Sequence, residues 1–133
     1  MKVEIIKQFS VFMPNQPGAL ARLAKAFADA NINIVGIASE VREESGVVRI
    51  AIEEHDTPTS VLSKAGFASV ESKLLSVELE DEPGQLTKVT QILAEGGINI
   101  MTVYGTSFGK KLSRILISVE NVAEAAALLE KPS

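Results

Sequence analysis

The chain has 133 residues, a net charge of −4 and a pI near 5.0, with 46% hydrophobic and 23% charged residues, which suits one small soluble globular domain or two very small ones. This acidic balance, without a basic stripe, argues against nucleic acid as a partner. The absence of cysteine excludes disulfides, thiol catalysis and cysteine-based metal sites.

One sequence motif occurs twice along the chain. Pro17-Gly18-Ala19-Leu20 precedes Ile32-Asn33-Ile34, and Pro83-Gly84-Gln85-Leu86 precedes Ile98-Asn99-Ile100. Matched positions lie 66 residues apart (83 − 17 and 99 − 33), so two repeats fill 132 of the 133 residues. A half of this size would bury only a marginal core alone, so we expect the halves to share an interface.

In chain order, the first repeat predicts strand, helix, strand, strand and helix. Phe9, Val11 and Met13 share one face of its first strand. The helix after Pro17-Gly18 is predicted to end at Asn31 and to bury one stripe of residues, namely Leu20, Leu23, Ala24 and Phe27. Residues 32–41 and 47–53 read as strands around a turn at 43–46. A second helix is predicted from Thr57-Pro58 to Gly66.

The second repeat follows the same order. Leu75, Val77 and Leu79 alternate along its first strand, and its first helix, ending at Gly96-Gly97, buries Leu86, Val89 and Leu93. Residues 98–107 and 112–119 read as strands around a turn at 108–111. Asn121 with Glu124 resembles a capping box before a last helix over 125–129.

This order predicts an α+β fold of two ferredoxin-like βαββαβ units in tandem, each a two-layer sandwich. Repeat one has a sixth element over 67–72, whereas only Lys131-Pro132-Ser133 follow the last helix of repeat two. Residues 2–6 precede repeat one at the offset that would match 68–72. We therefore expect domains at 1–71 and 72–133, with residues 2–6 completing the second.

Two loops join strand to helix, Asn15-Gln16-Pro17-Gly18 and Asp81-Glu82-Pro83-Gly84. The first turn of a helix offers unpaired N–H groups and a partial positive charge, which suit a carboxylate. Asn33 and Asn99 add polar side chains inside apolar Ile-Asn-Ile segments. Such a site could hold the carboxylate and ammonium groups of an amino acid. The alternatives are that Asn15 and Asp81 cap helices and that Asn33 and Asn99 bind backbone.

These residues resemble the ACT domain family. The pattern Asn15-x-Pro17-Gly18-x-Leu20, with Asn33 sixteen residues after the proline, occurs again with Asp81 in place of the loop asparagine. The whole chain resembles small stand-alone proteins made of two tandem ACT domains. The resemblance implies a regulatory module that binds an amino acid between two ACT units. It implies that the ligand is bound by two sets of residues. The loop residues are Asn15, Pro17, Gly18, Asp81, Pro83 and Gly84, and the strand residues are Asn33 and Asn99.

Asp81 departs from the family pattern. An ionised carboxylate accepts hydrogen bonds but cannot donate them, so Asp81 would attract a ligand ammonium and repel a ligand carboxylate. The two sites are therefore expected to be unequal, and the favoured pairing is Asn15 and Gly18 with Asn99. The expected partners are a free amino acid, a metabolic enzyme or a second copy in a homodimer. The alternative function is an interaction subunit that docks onto a metabolic enzyme without a ligand of its own.

The remaining features predict no catalysis. No nucleophile–base pair or metal-ligand spacing is visible, so we expect neither enzymatic activity nor a cofactor or metal; His55 reads as a loop residue. Arg49 and Arg114 occupy matching strands and are expected to form ion pairs, with ligand binding as the alternative. Tyr104 could line a ligand site or an oligomer face. With no membrane-length apolar run and no signal peptide, the expected location is the cytoplasm, without membrane contact.

Overall fold

The computed structural model describes residues 1–53, 58–107 and 111–131. Its elements in chain order are β1 (Lys2–Pro14), α1 (Ala19–Asp29), β2 (Gly36–Arg42), β3 (Ser45–Ile52), α2 (Thr59–Lys64), β4 (Ala68–Glu80), α3 (Gln85–Glu95), β5 (Ile100–Ser107), β6 (Leu112–Val119) and α4 (Val122–Glu130). They form two compact units. The repeat-one unit is Lys7–Ser72, and the repeat-two unit is Met1–Ile6 with Lys73–Ser133.

In the repeat-one unit the strands follow the order β2-β3-β1-β4. The β1–β3 and β2–β3 pairs are antiparallel, with Ile50 opposite both Phe9 and Ile37. The side chain of Gln8 donates a hydrogen bond from Nε2 to Ser72 Oγ at 3.3 Å, where β4 lies beside β1. The fourth strand of the unit therefore lies next to the first, as the ferredoxin-like pattern requires.

In the repeat-two unit the order is β1-β4-β6-β5, and residues 2–6 supply its outer strand. The β4–β6 and β5–β6 pairs are antiparallel, with Leu75 opposite Ile117. Val3 and Ile5 pack against the core that Leu75, Val77 and Leu79 form with α3 and α4. Residues 2–6 thus hold the place in the repeat-two unit that residues 68–72 hold in the repeat-one unit. The predicted ferredoxin-like α+β fold is confirmed.

The helix termini follow the predicted signals. Asn31 and Gly97 adopt positive φ (58° and 75°) just after α1 and α3, and the N–H of Glu124 donates to Asn121 Oδ1 at 3.1 Å at the start of α4. The predicted strand starts at 32 and 98 are wrong, because the chain first bonds back to each helix. Ile32 N–H donates to the carbonyl of Phe27, and Ile98 N–H does the same to Leu93.

The predicted apolar stripes are wrong at three positions. Leu20 and Leu86 are 48% and 51% exposed, and Ala24 is also exposed. In α1 the buried residues are Ala19, Leu23 and Phe27, which are spaced by four and so share one helix face. Leu20 is one residue away, about 100° around the helix, and points away from the sheet-covering face. No helix in the described ranges is long and apolar enough to cross a membrane.

Candidate functional site

Glycine sets the backbone at the start of α1. Gly18 has φ +85°, and the helix begins at the next residue without a capping side chain among the described residues. A Cβ built on Gly18 would have no atom within 4 Å, so the positive φ, rather than crowding, favours glycine here. The Ala19 N–H donates to the Gln16 carbonyl at 3.3 Å, which leaves the N–H groups of the exposed residues Leu20 and Ala21 without a partner among the described residues.

Asn15 ties this loop to the turn between β2 and β3. Its side-chain Nδ2 donates to the Glu43 carbonyl at 3.0 Å, and its backbone N–H donates to the Glu44 carbonyl at 2.8 Å. The alternative in which Asn15 caps α1 is therefore wrong. Because Nδ2 is held by the turn, the side-chain Oδ1 keeps a fixed direction as an acceptor.

The matching loop of the second repeat has the same backbone form. Gly84 has φ +91° and precedes α3, and no described side chain caps that helix, so Asp81 is not a cap either. The Asp81 backbone N–H donates to the Lys111 carbonyl at 2.7 Å, as Asn15 does to Glu44. The two loops thus differ in the side chain at positions 15 and 81 more than in their backbone.

Asn33 and Asn99 lie outside the strands predicted to contain them. Asn33 is in the segment between α1 and β2, and Asn99 is the residue just before β5; both are exposed. Each follows an 11-residue helix, which is about 16 Å long. The loop and the asparagine of one unit consequently lie near opposite ends of that helix, so a small ligand cannot contact both within the same unit.

Both arginines form ion pairs, but in different surroundings. Arg49 Nη1 lies 3.9 Å from Glu40 Oε2, with side chains 29% and 54% exposed. Arg114 Nη2 donates to Glu78 Oε1 at 3.0 Å, and these side chains are only 16% and 25% exposed. The expectation of ion pairs is confirmed, although the second pair is much less exposed than a surface pair.

The strand registers show that these arginines are not equivalent. Arg49 lies opposite Ser10. The matched residue of repeat two, Ser76, lies opposite Leu116, two residues further along β6 than Arg114. The offset of 65 between the arginines therefore reflects a shift along the strand rather than a repeated site.

We expect Arg114→Met to lower the free energy of unfolding by about 1–3 kcal/mol, because Glu78 would lose a charged hydrogen-bond partner in a poorly solvated place. The matched control, Arg49→Met, should cost less than about 1 kcal/mol, since its pair is longer and more exposed. Urea titrations of both variants measure this difference. Equal losses would mean that burial around Arg114 does not strengthen its pair.

A cleft of about 470 Å³ lies beside the Asp81 loop in the repeat-two unit. Its walls include Glu80 and Gln85, which flank the loop, together with Met1, Lys2, Glu78, Leu79, Lys88 and Leu112. Lys2 Nζ lies 3.1 Å from Glu4 Oε1. The hydrogen bond to Glu4, together with the negative charge of that carboxylate, raises the pKa of Lys2 above its usual value. No residue of the predicted site lines this cleft. The sequence feature that indicates this cleft is the assignment of residues 2–6 to repeat two, because that assignment places Met1 and Lys2 beside α3.

The remaining candidate residues are Tyr104, His55 and those of the turn over 108–110. Tyr104 is half-buried in β5, opposite Leu116. His55 and the turn residues 108–110 lie outside the described ranges. Within those ranges, no three His, Asp or Glu side chains are grouped to hold a metal ion.

The pattern that defines the ACT domain pair matches residues 4–130. The chain belongs to the ACT domain pair family. Both repeats described above are therefore ACT units, and the predicted family membership is confirmed. No protein of curated function matches the chain.

Solved structures share this ACT fold. Protein BT0572 from Bacteroides thetaiotaomicron superposes with a TM-score of 0.86 and 23% identity, over 96% of this chain and 88% of that chain. The ligand-free regulatory subunit of aspartate kinase from Thermus thermophilus superposes with a TM-score of 0.67 and 20% identity, over 96% of this chain and 93% of that chain. A structure of aspartokinase alpha and beta subunits superposes with a TM-score of 0.66 and 20% identity, over 97% of this chain and 95% of that chain. At these identities the likeness concerns the fold alone.

Proposed function

We propose that this ACT domain pair is a regulatory, non-catalytic module that binds a free amino acid at the loop before α1. The observation that carries this proposal is the uncapped start of α1 behind Gly18, in a chain that matches the ACT domain pair over residues 4–130. An amino acid carries a carboxylate for the helix N–H groups and an ammonium for a nearby acceptor. The loop offers both kinds of contact.

The ligand carboxylate is proposed to accept from the free N–H groups of the first turn of α1. Those groups and the positive end of the helix dipole favour an anion, and Gly18 leaves the backbone uncovered. The ligand ammonium is proposed to donate to Asn15 Oδ1, which the Nδ2 contact with Glu43 orients. Pro17 fixes the backbone between these two groups.

Asn99 is proposed to supply a further hydrogen bond to this ligand. The pairing rests on the family resemblance, in which the loop of one ACT unit faces the second strand of another. It also agrees with the separation of Asn15 and Asn33 by the length of α1. Asn99 forms no hydrogen bond through its side chain within the described part of the chain, so its amide is available.

The second site, with Asp81, Pro83, Gly84 and Asn33, is proposed to be weaker. The Asp81 carboxylate would repel the ligand carboxylate, whereas the amide of Asn15 does not. We expect Asp81→Asn to strengthen binding at this site about tenfold and to add a second binding event in calorimetry. An unchanged stoichiometry and affinity in this variant would contradict the proposed inequality.

Isothermal titration of the protein against the twenty amino acids tests the main proposal. For the amino acid that binds, Asn15→Ala and Asn99→Ala should each weaken the affinity at least tenfold, since each removes a polar contact to the ligand. Lys25→Ala is the matched control, because Lys25 lies on α1 and its side chain pairs only with Asp29 among the described residues, at 2.8 Å. Absence of binding by any amino acid at millimolar concentration would reject the proposal.

The output of binding is proposed to be regulation of a metabolic enzyme in the cytoplasm. Two structures of the same fold are described as a regulatory subunit of aspartate kinase and as aspartokinase subunits. If the ligand binds one state of the complex more tightly, binding shifts the equilibrium by that difference in affinity. Enzyme co-purified with the tagged protein should respond to the amino acid identified by calorimetry.

A ligand-free interaction subunit is the second candidate function. It is favoured by exposed apolar side chains on the outer strands β2 and β5, namely Ile37, Val41, Met101 and Val103. Outer strands with such side chains can pair with another protein or with a second copy in a homodimer. Stoichiometric co-purification of an enzyme, without any thermal shift from amino acids, would favour this candidate. Light scattering after gel filtration measures the homodimer.

A further inference from the structure

A groove runs along one face of α3 in the repeat-two unit. A cleft of about 630 Å³ adjoins the 470 Å³ cleft, and Met1 and Lys88 line both. The larger cleft is completed by Gln91, Ile92, Glu95, Leu129, Glu130 and Lys131. Lys88, Ile92 and Glu95 are spaced by three or four residues, so they share one face of the helix. We call the larger cleft the α3 groove.

The repeat-one unit shows what the fold can place at this position. Arg22 matches Lys88 in the repeat (88 − 22 = 66), and Phe67 precedes residues 68–72 as Met1 precedes residues 2–6. The Phe67 side chain is 5% exposed and belongs to the unit's core. Arg22 Cζ lies 4.6 Å from the centroid of the Phe67 ring, within cation–π range.

The repeat-two unit lacks this aromatic pair. Met1 is 57% exposed, and the core cluster beside it contains only aliphatic side chains. The backbone N–H of Lys88 donates to the Gly84 carbonyl, but its side-chain ammonium forms no ion pair or hydrogen bond with the residues that the structure describes. A position that a ring and a cation fill in one unit is thus an open groove in the other, with the cation still present.

We propose that the α3 groove is a second ligand site, for a free aromatic amino acid whose ring takes the place that Phe67 occupies in the repeat-one unit. The ring lies against Met1, Ile92 and Leu129, and the Lys88 ammonium lies over it as Arg22 does over Phe67. The cleft volume of about 630 Å³ is within the usual range for small-molecule sites.

The charges at the rim of the groove fit the two ends of this ligand. Lys131 lies at the C-terminal end of α4 and can pair with the ligand carboxylate. Glu95 and Glu130 lie on the same rim and can accept from the ligand ammonium. A ring-bearing zwitterion therefore satisfies the apolar floor, the free cation and both signs of charge, whereas a small aliphatic amino acid leaves the floor and Lys88 unused.

Nuclear magnetic resonance titration of the full chain with L-phenylalanine, and with L-alanine as the ring-free control, tests this site. We expect phenylalanine to shift the amide signals of Lys88, Ile92, Glu95 and Leu129 at concentrations where alanine leaves them unchanged. Shifts at Gly18 and Asn99 report on the loop site instead, so the two proposals fail separately. Equal shifts with both amino acids, or none in α3, would overturn the groove proposal.

Two variants locate the binding more sharply. Lys88→Ala should weaken phenylalanine binding at least fivefold, and it changes only an exposed side chain of α3. Replacing Met1 by Met-Gly-Phe, together with Lys88→Arg, reproduces Gly66-Phe67 and Arg22 of repeat one. Because the added phenylalanine side chain would then occupy the groove, this variant should bind free phenylalanine at least tenfold more weakly. Arg22→Lys is the matched control, with unchanged affinity. Unchanged affinity in both groove variants would overturn the proposal.

Discussion

A chain that begins at Lys7 is expected to lose the folded structure of its repeat-two unit while the repeat-one unit stays folded. Residues 2–6 form the outer strand of the repeat-two sheet, where Val3 and Ile5 pack on the core and Ile6 is buried. Burying one such side chain contributes about 1.5–3 kcal/mol when complete. The combined loss is close to the total stability of a unit this small.

Amide hydrogen exchange measures this outcome in each unit separately. In the truncated chain, the amides of β5 and β6 should exchange as in an unfolded segment, whereas those of β2 and β3 should keep their protection. Protection that persists in all four strands would show that residues 2–6 contribute little to the repeat-two unit.

A rearranged chain provides the matched rescue. If residues 7–133 are followed directly by residues 2–6, the second helix leads into the fourth strand as it does in repeat one. Three residues (131–133) then join α4 to the moved strand, the same number as the three (65–67) that join α2 to β4. This chain should regain protection in β5 and β6, since it supplies the strand in the usual ferredoxin-like order.

Phe27→Ala is expected to lower the free energy of unfolding of the repeat-one unit by about 3–5 kcal/mol. Phe27 is 1% exposed and packs in the core with Phe9, Leu23 and Leu62. Removing the ring leaves a cavity that the surrounding strands and helices cannot fill without moving. Leu93→Ala, the matched change in repeat two (93 − 27 = 66), should cost about 2–5 kcal/mol in its own unit.

Urea unfolding followed by hydrogen exchange assigns each loss to its unit. Phe27→Ala should weaken protection in β1 and β3, and Leu93→Ala should weaken it in β4 and β6. Leu20→Ala is the control on α1, because its side chain is about half exposed, and its effect should stay within about 0.5 kcal/mol. A loss at Leu20 as large as that at Phe27 would contradict the burial described for this helix.

Local signals made much of the fold predictable. The two Pro-Gly pairs mark the starts of α1 and α3 because the glycines adopt positive φ at those junctions. The strand over 112–119 was predicted with the bounds that the structure has. The role of residues 2–6 followed from counting elements in each repeat, since a ferredoxin-like unit needs a fourth strand and repeat two had none.

Tertiary contacts decided the features that the sequence could not predict. Asn15 resembles a helix cap, yet its side chain bonds a carbonyl 28 residues away, and no local pattern announces that contact. The Ile-Asn-Ile segments read as strands, but their first residues bond back to the preceding helix. The α3 groove depends on Met1 lying beside Lys88 and Leu129, which are far apart in the sequence.

The shared strand β1 has a consequence for synthesis on the ribosome. Residues 7–72 can form their unit as soon as they emerge, whereas residues 2–6 must wait for β4 to be completed. At about 5–20 residues per second, the roughly 70 intervening residues take about 4–14 s. During that time Val3 and Ile5 are available to another chain. Lys2 and Glu4 alternate with these apolar residues and pair at 3.1 Å in the folded protein. Their charges on the still unpaired strand discourage association between nascent chains.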